Sequence, residues 1–152
     1  MIEIALFEPE IPQNTGTMIR LAACLGIKIN LIKPFGFIFS DKKLKRAGMD
    51  YIDFSDLKIH ESFKDFENYA LLNNKRIVKL SPRMGEVFTK FKFQENDIIM
   101  GGRESDGFPD SINNDNNSSV NIPCMGRSIN LAIATSMVTT EALRQVGYFD
   151  QL

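Results

Sequence analysis

Short apolar runs alternate with polar gaps along the chain. Five of them, Ile2–Phe7, Ile27–Ile32, Arg76–Leu80, Asp97–Gly101 and Val120–Ile122, are short and mostly apolar. They predict strands covered on both sides. A weaker strand signal lies at Tyr51–Phe54. Helical spacing appears between the runs. Thr15–Leu25 repeats Met18, Leu21, Ala22 and Leu25, and Gly26 follows as a C-cap. Asp41 caps a short basic helix, Lys42–Ala47, closed by Gly48. Ser62–Leu72 sets Phe63, Phe66, Tyr69 and Ala70 on one face, and a last helix runs from about Asn130 to Val146. Strands alternating with helices predict an α/β fold with a mostly parallel sheet.

The last helix has an unusual pattern. Ile129, Leu131, Ala132, Ile133, Ala134, Met137 and Val138 wrap nearly the whole circumference of its first half. Such a helix is either fully buried or half of a protein–protein interface. In a chain of 152 residues this points to a homodimer, the other reading being a central helix buried within one subunit.

Composition narrows the class. Hydrophobic residues make up 43% and charged residues 24%, ordinary values for one globular domain spanning 1–152. No apolar run approaches the roughly 18–20 residues of a membrane span. Met1–Glu8 carries an acid early and no basic segment, so it does not read as a signal peptide, and a cytoplasmic location is expected. Cys24 and Cys124 then read as reduced thiols, and a single histidine without Cys/His spacing gives no zinc site. His60 falls in an expected loop with a structural role, and Asn113–Ser119 reads as a polar surface loop.

The net charge is −1, but it is unevenly spread. Residues 20–46 hold seven basic residues against Asp41 alone, and residues 75–92 hold six against Glu86. A nearly neutral chain with two basic windows can still offer a polyanion one positive face, since binding responds to the local field. The alternative is that these lysines and arginines are ordinary solvated surface.

Three loops that leave strand ends hold the candidate chemistry. In open parallel sheets, ligands collect beyond the carboxyl ends of the strands. The first loop, Glu8–Thr17, is stiffened by Pro9 and Pro12 and leads into a helix bearing Arg20. Asn14 or Thr15 is expected to cap that helix, whose free N–H groups suit an anion, and Arg20 can hold a phosphate bidentately. The second, Gly101–Pro109, follows a buried strand. Its glycines permit close backbone approach, and Glu104 is placed to bond a hydroxyl or to orient a neighbouring loop. The third, Ile122–Leu131, contributes Cys124 and Met125 as soft apolar lining for a flat ring, with Ser128 and Asn130 as caps or ligand contacts. Each loop taken alone also has a plain structural reading as a cap or a tight turn. The G-x-G-x-x-G fingerprint, the P-loop and the G-x-S-x-G elbow are absent from the sequence.

Taken together, the loops resemble the three motifs of the SpoU branch of the SPOUT RNA methyltransferases. Asn14, Gly16 and Arg20 match N-x-G-x-x-x-R; Gly102, Glu104 and Gly107 match G-x-E-x-x-G; Ser128, Asn130 and Leu131 match S-x-N-L. Phe7–Gly16, Pro34–Phe37, Lys45–Tyr51 and Arg144–Tyr148 resemble the short single-domain TrmL group, whose members methylate the 2′-oxygen of cytidine or uridine 34 of tRNA. The resemblance implies a C-terminal deep trefoil knot, a homodimer, and no separate RNA-binding extension. It also implies S-adenosyl-L-methionine held by Leu80, Gly102, Ile122, Met125 and Ser128, with S-adenosyl-L-homocysteine as product and no metal. Arg20, Asn14, Glu104, Ser128 and Asn130 would form the catalytic group. Arg20, Lys42, Lys43, Lys45 and Arg46 would meet the tRNA. Some members use the motif-1 arginine as a base; a guanidinium pKa above about 12 favours a phosphate anchor that stabilises alkoxide charge.

The sequence departs from the group at four positions. Ala132 stands where a serine is usual and Ile133 where a polar residue is common. Arg103 and Asp106 stand where proline and a basic residue are more frequent. Three further readings are weighed: another tRNA position or ribosomal RNA as target, an RNA-binding homologue without turnover, and a flavodoxin-like flavin module with Asn14–Thr17 as its phosphate loop.

Overall fold

A computed structural model describes residues 1–40, 42, 46, 51, 56–113 and 118–151. Seven strands, β1 (Glu3–Phe7), β2 (Ile29–Ile32), β3 (Leu57–His60), β4 (Arg76–Leu80), β5 (Glu86–Val87), β6 (Asp97–Gly101) and β7 (Ser119–Asn121), form one sheet. Its order is β3-β2-β1-β6-β4-β7-β5, and every paired ladder is parallel. Helices α1 (Pro12–Leu25), α2 (Phe63–Leu72), α3 (Asp110–Asn113) and α4 (Leu131–Gln145) accompany it. A 3-10 turn, Tyr148–Gln151, follows α4.

Strands β1 and β6 at the centre are buried along their whole length, which explains their mostly apolar runs. Along β1, Ile4 and Leu6 enter a core with Met18, Ile19 and Ala22 of α1 and Val138, Ala142 and Leu143 of α4. Ala5 and Phe7 enter a second core with Phe66, Tyr69 and Ala70 of α2. The result is a three-layer α/β/α sandwich with α1 and α4 on one face and α2 on the other.

Several expected boundaries shift for identifiable reasons. Strand β2 starts at Ile29, because Gly26 (φ +60°) and the bond from Ile27 N–H to the Ala22 carbonyl still close α1. Strand β3 was not anticipated, since Leu57-Lys58-Ile59-His60 alternates like an edge strand instead of forming an apolar run. His60 is therefore the buried end of a strand and not part of a loop. The two-residue β5 and the four-residue α3 are too short to leave a pattern. Lys42 and Arg46 are helical, whereas the rest of the expected Lys42–Ala47 helix, its Asp41 cap, and Tyr51–Phe54 beyond Tyr51 lie outside the described residues. So do residues 114–117 of the polar loop.

Beneath α2 lies a buried polar network. Asn30 Nδ2 donates to Glu3 at 2.9 Å, Tyr69 donates at 3.0 Å, and Lys75 Nζ lies 2.9 Å from the same carboxylate. Because the Asn30 amide nitrogen is committed to Glu3, its oxygen faces His60 Nε2 at 2.9 Å, which makes Nε2 the protonated nitrogen. Burial alone would raise the Glu3 pKa, but the bonds from Lys75, Asn30 and Tyr69 and the Lys75 charge outweigh it and hold it below the ordinary value. His60 is pushed down by burial first and then by the Lys58 charge.

Candidate active site

The carboxyl ends of β4, β6 and β7 open into a cleft of about 710 Å³. This is the place an open parallel sheet reserves for a ligand. Leu80, Ile122, Ile129 and Leu131 give it an apolar floor; Asn14, Gly102, Glu104, Ser128 and Asn130 supply its polar edge. The three candidate loops therefore meet in space, although Asn14 of the first lies 90 residues from Glu104 of the second and 116 from Asn130 of the third.

Glu104 makes that meeting specific. Helix α1 begins at Pro12 and has Ile11 as its N-cap, with no side-chain cap of its own. Asn14 and Thr15 are buried within its first turn and are not the cap expected from sequence. Proline suits that first position because its missing N–H needs no partner. The N–H of the N-cap residue finds its partner across the molecule. Glu104 accepts from the backbone N–H of Glu10 at 2.8 Å and of Ile11 at 3.2 Å, and from Asn14 Nδ2 at 3.4 Å. A carboxylate at a helix N-terminus also complements the helix dipole.

The relay continues into the third loop. Asn130 Nδ2 donates to Asn14 Oδ1 at 3.0 Å, while Asn130 Oδ1 caps α4 by accepting from Ile133 N–H at 3.2 Å. Both asparagines have their amide orientation fixed by these partners. Each keeps one N–H and one lone pair for a ligand. The second loop is held just as tightly. Arg103 and Gly107 exchange two backbone hydrogen bonds of 3.0 Å, and a Cβ on Gly102 would lie 2.8 Å from the Gly107 carbonyl carbon. Only glycine fits there without moving backbone.

The remaining expected site residues lie elsewhere. Arg20 is exposed, is absent from the cleft lining, and has its guanidinium 5.0 Å from the centre of the Tyr51 ring. Met125 is fully exposed and lines a shallower depression next to the cleft, whereas Cys124 lines the cleft itself. Cys124 and Met125 line that depression together, and Cys124 also reaches the cleft. Lys42 and Arg46 are exposed; Lys43 and Lys45 lie outside the described residues. Sequence reading did not single out Arg83 and Arg127, which both line the cleft and the adjoining depression. Arg83 belongs to the second basic window, the one signal that pointed to it.

The profile of the SpoU rRNA Methylase family matches residues 1–140. The chain belongs to this family. It is 45% identical over 146 residues to the tRNA (cytidine(34)-2′-O)-methyltransferase of Beijerinckia indica, covering 95% of this chain and 91% of that one. A solved structure described as giving insight into 2-OH methylation of C/U34 on tRNA superposes with a TM-score of 0.88 at 41% identity, covering 95% of both chains. The SpoU methyltransferase AviRb from Streptomyces viridochromogenes, solved with AdoMet, shares the fold, with a TM-score of 0.78 at 23% identity over 95% of this chain and 60% of that one. The three loops are thus SpoU motifs in an α/β sheet of that fold, and the flavodoxin-like alternative falls away. SpoU methyltransferases bind S-adenosylmethionine. Among the described residues, no helix is long and apolar enough to cross a membrane, and no group of three or more His, Cys, Asp or Glu could hold a metal ion.

Proposed function

We propose that the protein transfers a methyl group from S-adenosylmethionine to the ribose 2′-oxygen of the tRNA wobble nucleotide, cytidine or uridine 34. The observation that carries this reading is the Glu104–Asn14–Asn130 relay, which joins the three SpoU motifs at one cleft. Whole-length similarity to tRNA (cytidine(34)-2′-O)-methyltransferases supports the substrate.

The cleft fits the cofactor. Its volume lies in the range of small-molecule sites, its floor is apolar enough for an adenine ring, and Gly102 brings bare backbone to its wall. Leu80, Gly102, Ile122 and Ser128 would hold the cofactor there. Met125 would reach it only if its loop turned inward. When bound, the cofactor supplies an electrophilic methyl on a positive sulfur; the 2′-oxygen gains that methyl, the sulfur becomes a neutral thioether, and the hydroxyl proton is released.

The protein's task is alignment and charge management. Asn14 and Asn130 present their spare amide valences to the ribose. Glu104 fixes Asn14 and the start of α1 so that those valences keep their direction. Arg20, exposed outside the cleft and in the same basic window of the sequence as Lys42 and Arg46, anchors the RNA phosphate. A single-stranded anticodon nucleotide can be splayed into such a site without a separate binding domain.

Two features of assembly belong to the same reading. The C-terminal segment would form the trefoil knot. In support, the connection from β4 to β6 reaches past β7 to place β5 beyond it, and a Cβ on Gly85 would lie 2.1 Å from the Ser119 oxygen. The functional unit would be a homodimer, favoured by Ile133 and Met137, which form an exposed apolar stripe one turn apart on α4. The direct test is label transfer from S-adenosylmethionine to purified tRNA and, separately, to ribosomal RNA. Transfer to tRNA alone is expected. Transfer to ribosomal RNA alone would overturn the substrate.

A further inference from the structure

Both departures in the second motif, Arg103 and Asp106, sit at the junction between the first and second loops. Arg103 Nη1 donates to Glu8 at 3.0 Å, and its Nε and Nη2 grip both oxygens of Asp106 at 2.7 and 3.1 Å. Its guanidinium carbon lies 5.7 Å from the centre of the Phe7 ring. Two residues along, Ser105 donates to Glu10 from its backbone N–H at 2.9 Å and its hydroxyl at 2.8 Å. Between these two links sits Glu104, which accepts from Glu10 N–H, Ile11 N–H and Asn14. Contacts from the two loops thus alternate like the teeth of a zip.

The charge balance of this junction is lopsided. Four carboxylates, Glu8, Glu10, Glu104 and Asp106, crowd the two loops. Among the described residues, Arg103 is the one cation paired with any of them. It also acts at a strained point. Glu8, the residue Arg103 holds, has φ +44°, a left-handed conformation uncommon for a residue with a side chain. A bidentate guanidinium fixes direction as well as charge, which a proline at 103 could not do.

We propose that Arg103 is a positioning residue for methyl transfer. By clamping Glu8 to Asp106 it offsets part of the negative charge of the carboxylate cluster and sets the Glu104 carboxylate against α1, and so orients Asn14 and Asn130 at the cleft. This inference rests on the methyltransferase reading above.

The test compares Arg103→Ala and Arg103→Lys with the unmodified protein, using Arg144→Ala, which breaks an exposed ion pair with Glu141 on α4, as a control. Steady-state methyl transfer to tRNA and amide hydrogen exchange at Glu10 and Ile11 are measured side by side. Arg103→Ala is expected to lower kcat about tenfold to a hundredfold, with the tRNA KM changed by about twofold or less. The Glu10 and Ile11 amides should exchange faster in the same variant. Arg103→Lys, which restores the cation without the bidentate grip, should recover part of both, and Arg144→Ala should change neither. Unaltered kcat in Arg103→Ala overturns the proposal. So does a fall in kcat with unaltered exchange, which would mean that Arg103 acts on the substrate directly. Should Arg103→Ala fail to fold, the lysine variant and Glu8→Gln, which weakens the clamp from its other side, carry the same two readouts. If the unmodified protein transfers no methyl to tRNA, the functional reading fails, while the exchange measurement still judges the clamp.

Discussion

Glu104 concentrates the logic of the site in one side chain. Its carboxylate replaces the capping side chain that α1 lacks and holds Asn14 through the same oxygen that receives Ile11 N–H. Glu104→Gln keeps the shape, but a carboxamide has only one acceptor end, so its NH2 group must face a backbone N–H. Hydrogen bonds to a charged acceptor contribute about 1.5–3 kcal/mol, and the variant should lose stability on that scale. Thermal unfolding is expected to show the loss, and methyl transfer should fall further than tRNA binding. An unchanged melting temperature would remove Glu104 from its capping role. Sequence placed Glu104 past a buried strand and allowed it to orient a neighbouring loop, which is what it does. The identity of that loop was not legible, because a contact across 94 residues leaves no local pattern.

At the level of elements, the long apolar runs announced themselves and the short pieces did not. Strands β4 and β6 were readable to the residue, since each centres on a β-branched apolar pair, Ile77-Val78 and Ile98-Ile99, that suits a buried strand. The start of α1 was misplaced by three residues. Asn14 and Thr15 look like caps, but Pro12 sets the first turn and a distant carboxylate satisfies it. Strand β5 is too short to be read, yet its position beyond β7 shapes the crossing that Gly85 permits. Gly85 has φ +92°, and its backbone lies against Ser119. Gly85→Ala combines a forbidden conformation with a backbone clash and should destabilise the fold by at least about 2 kcal/mol. Chemical denaturation measures this directly; a variant of ordinary stability would show that the crossing is loose.

For the whole molecule, two expectations follow from charge and from uncovered surface. The His60 pKa is lowered in the folded state, so the unfolded chain binds that proton more readily. Stability from neutral His60 is complete above the ordinary value of 6.5 and is lost as pH falls below it towards the folded value. Glu3, also lowered, adds stability above 4.5 that disappears on further acidification. The melting temperature should therefore fall in two stages on acidification, and His60→Gln should flatten the first. A first stage that survives this substitution would assign it to another group. The homodimer has an equally direct check. Ile133→Glu puts a charge on an exposed stripe that the monomer fold does not need. Light scattering should report a dimer for the unmodified protein and a monomer for the variant, whereas a dimer in both would place the interface elsewhere.

The proposed site for ribose methylation at the tRNA wobble position is built where three loops meet. The measurement closest to it is nucleoside mapping of tRNA that lacks the modification, after incubation with the protein and labelled S-adenosylmethionine. Label is expected in 2′-O-methylcytidine or 2′-O-methyluridine released from position 34, and is expected to be lost in Arg20→Ala. Label on a base, label at another ribose, or full activity in Arg20→Ala would contradict it.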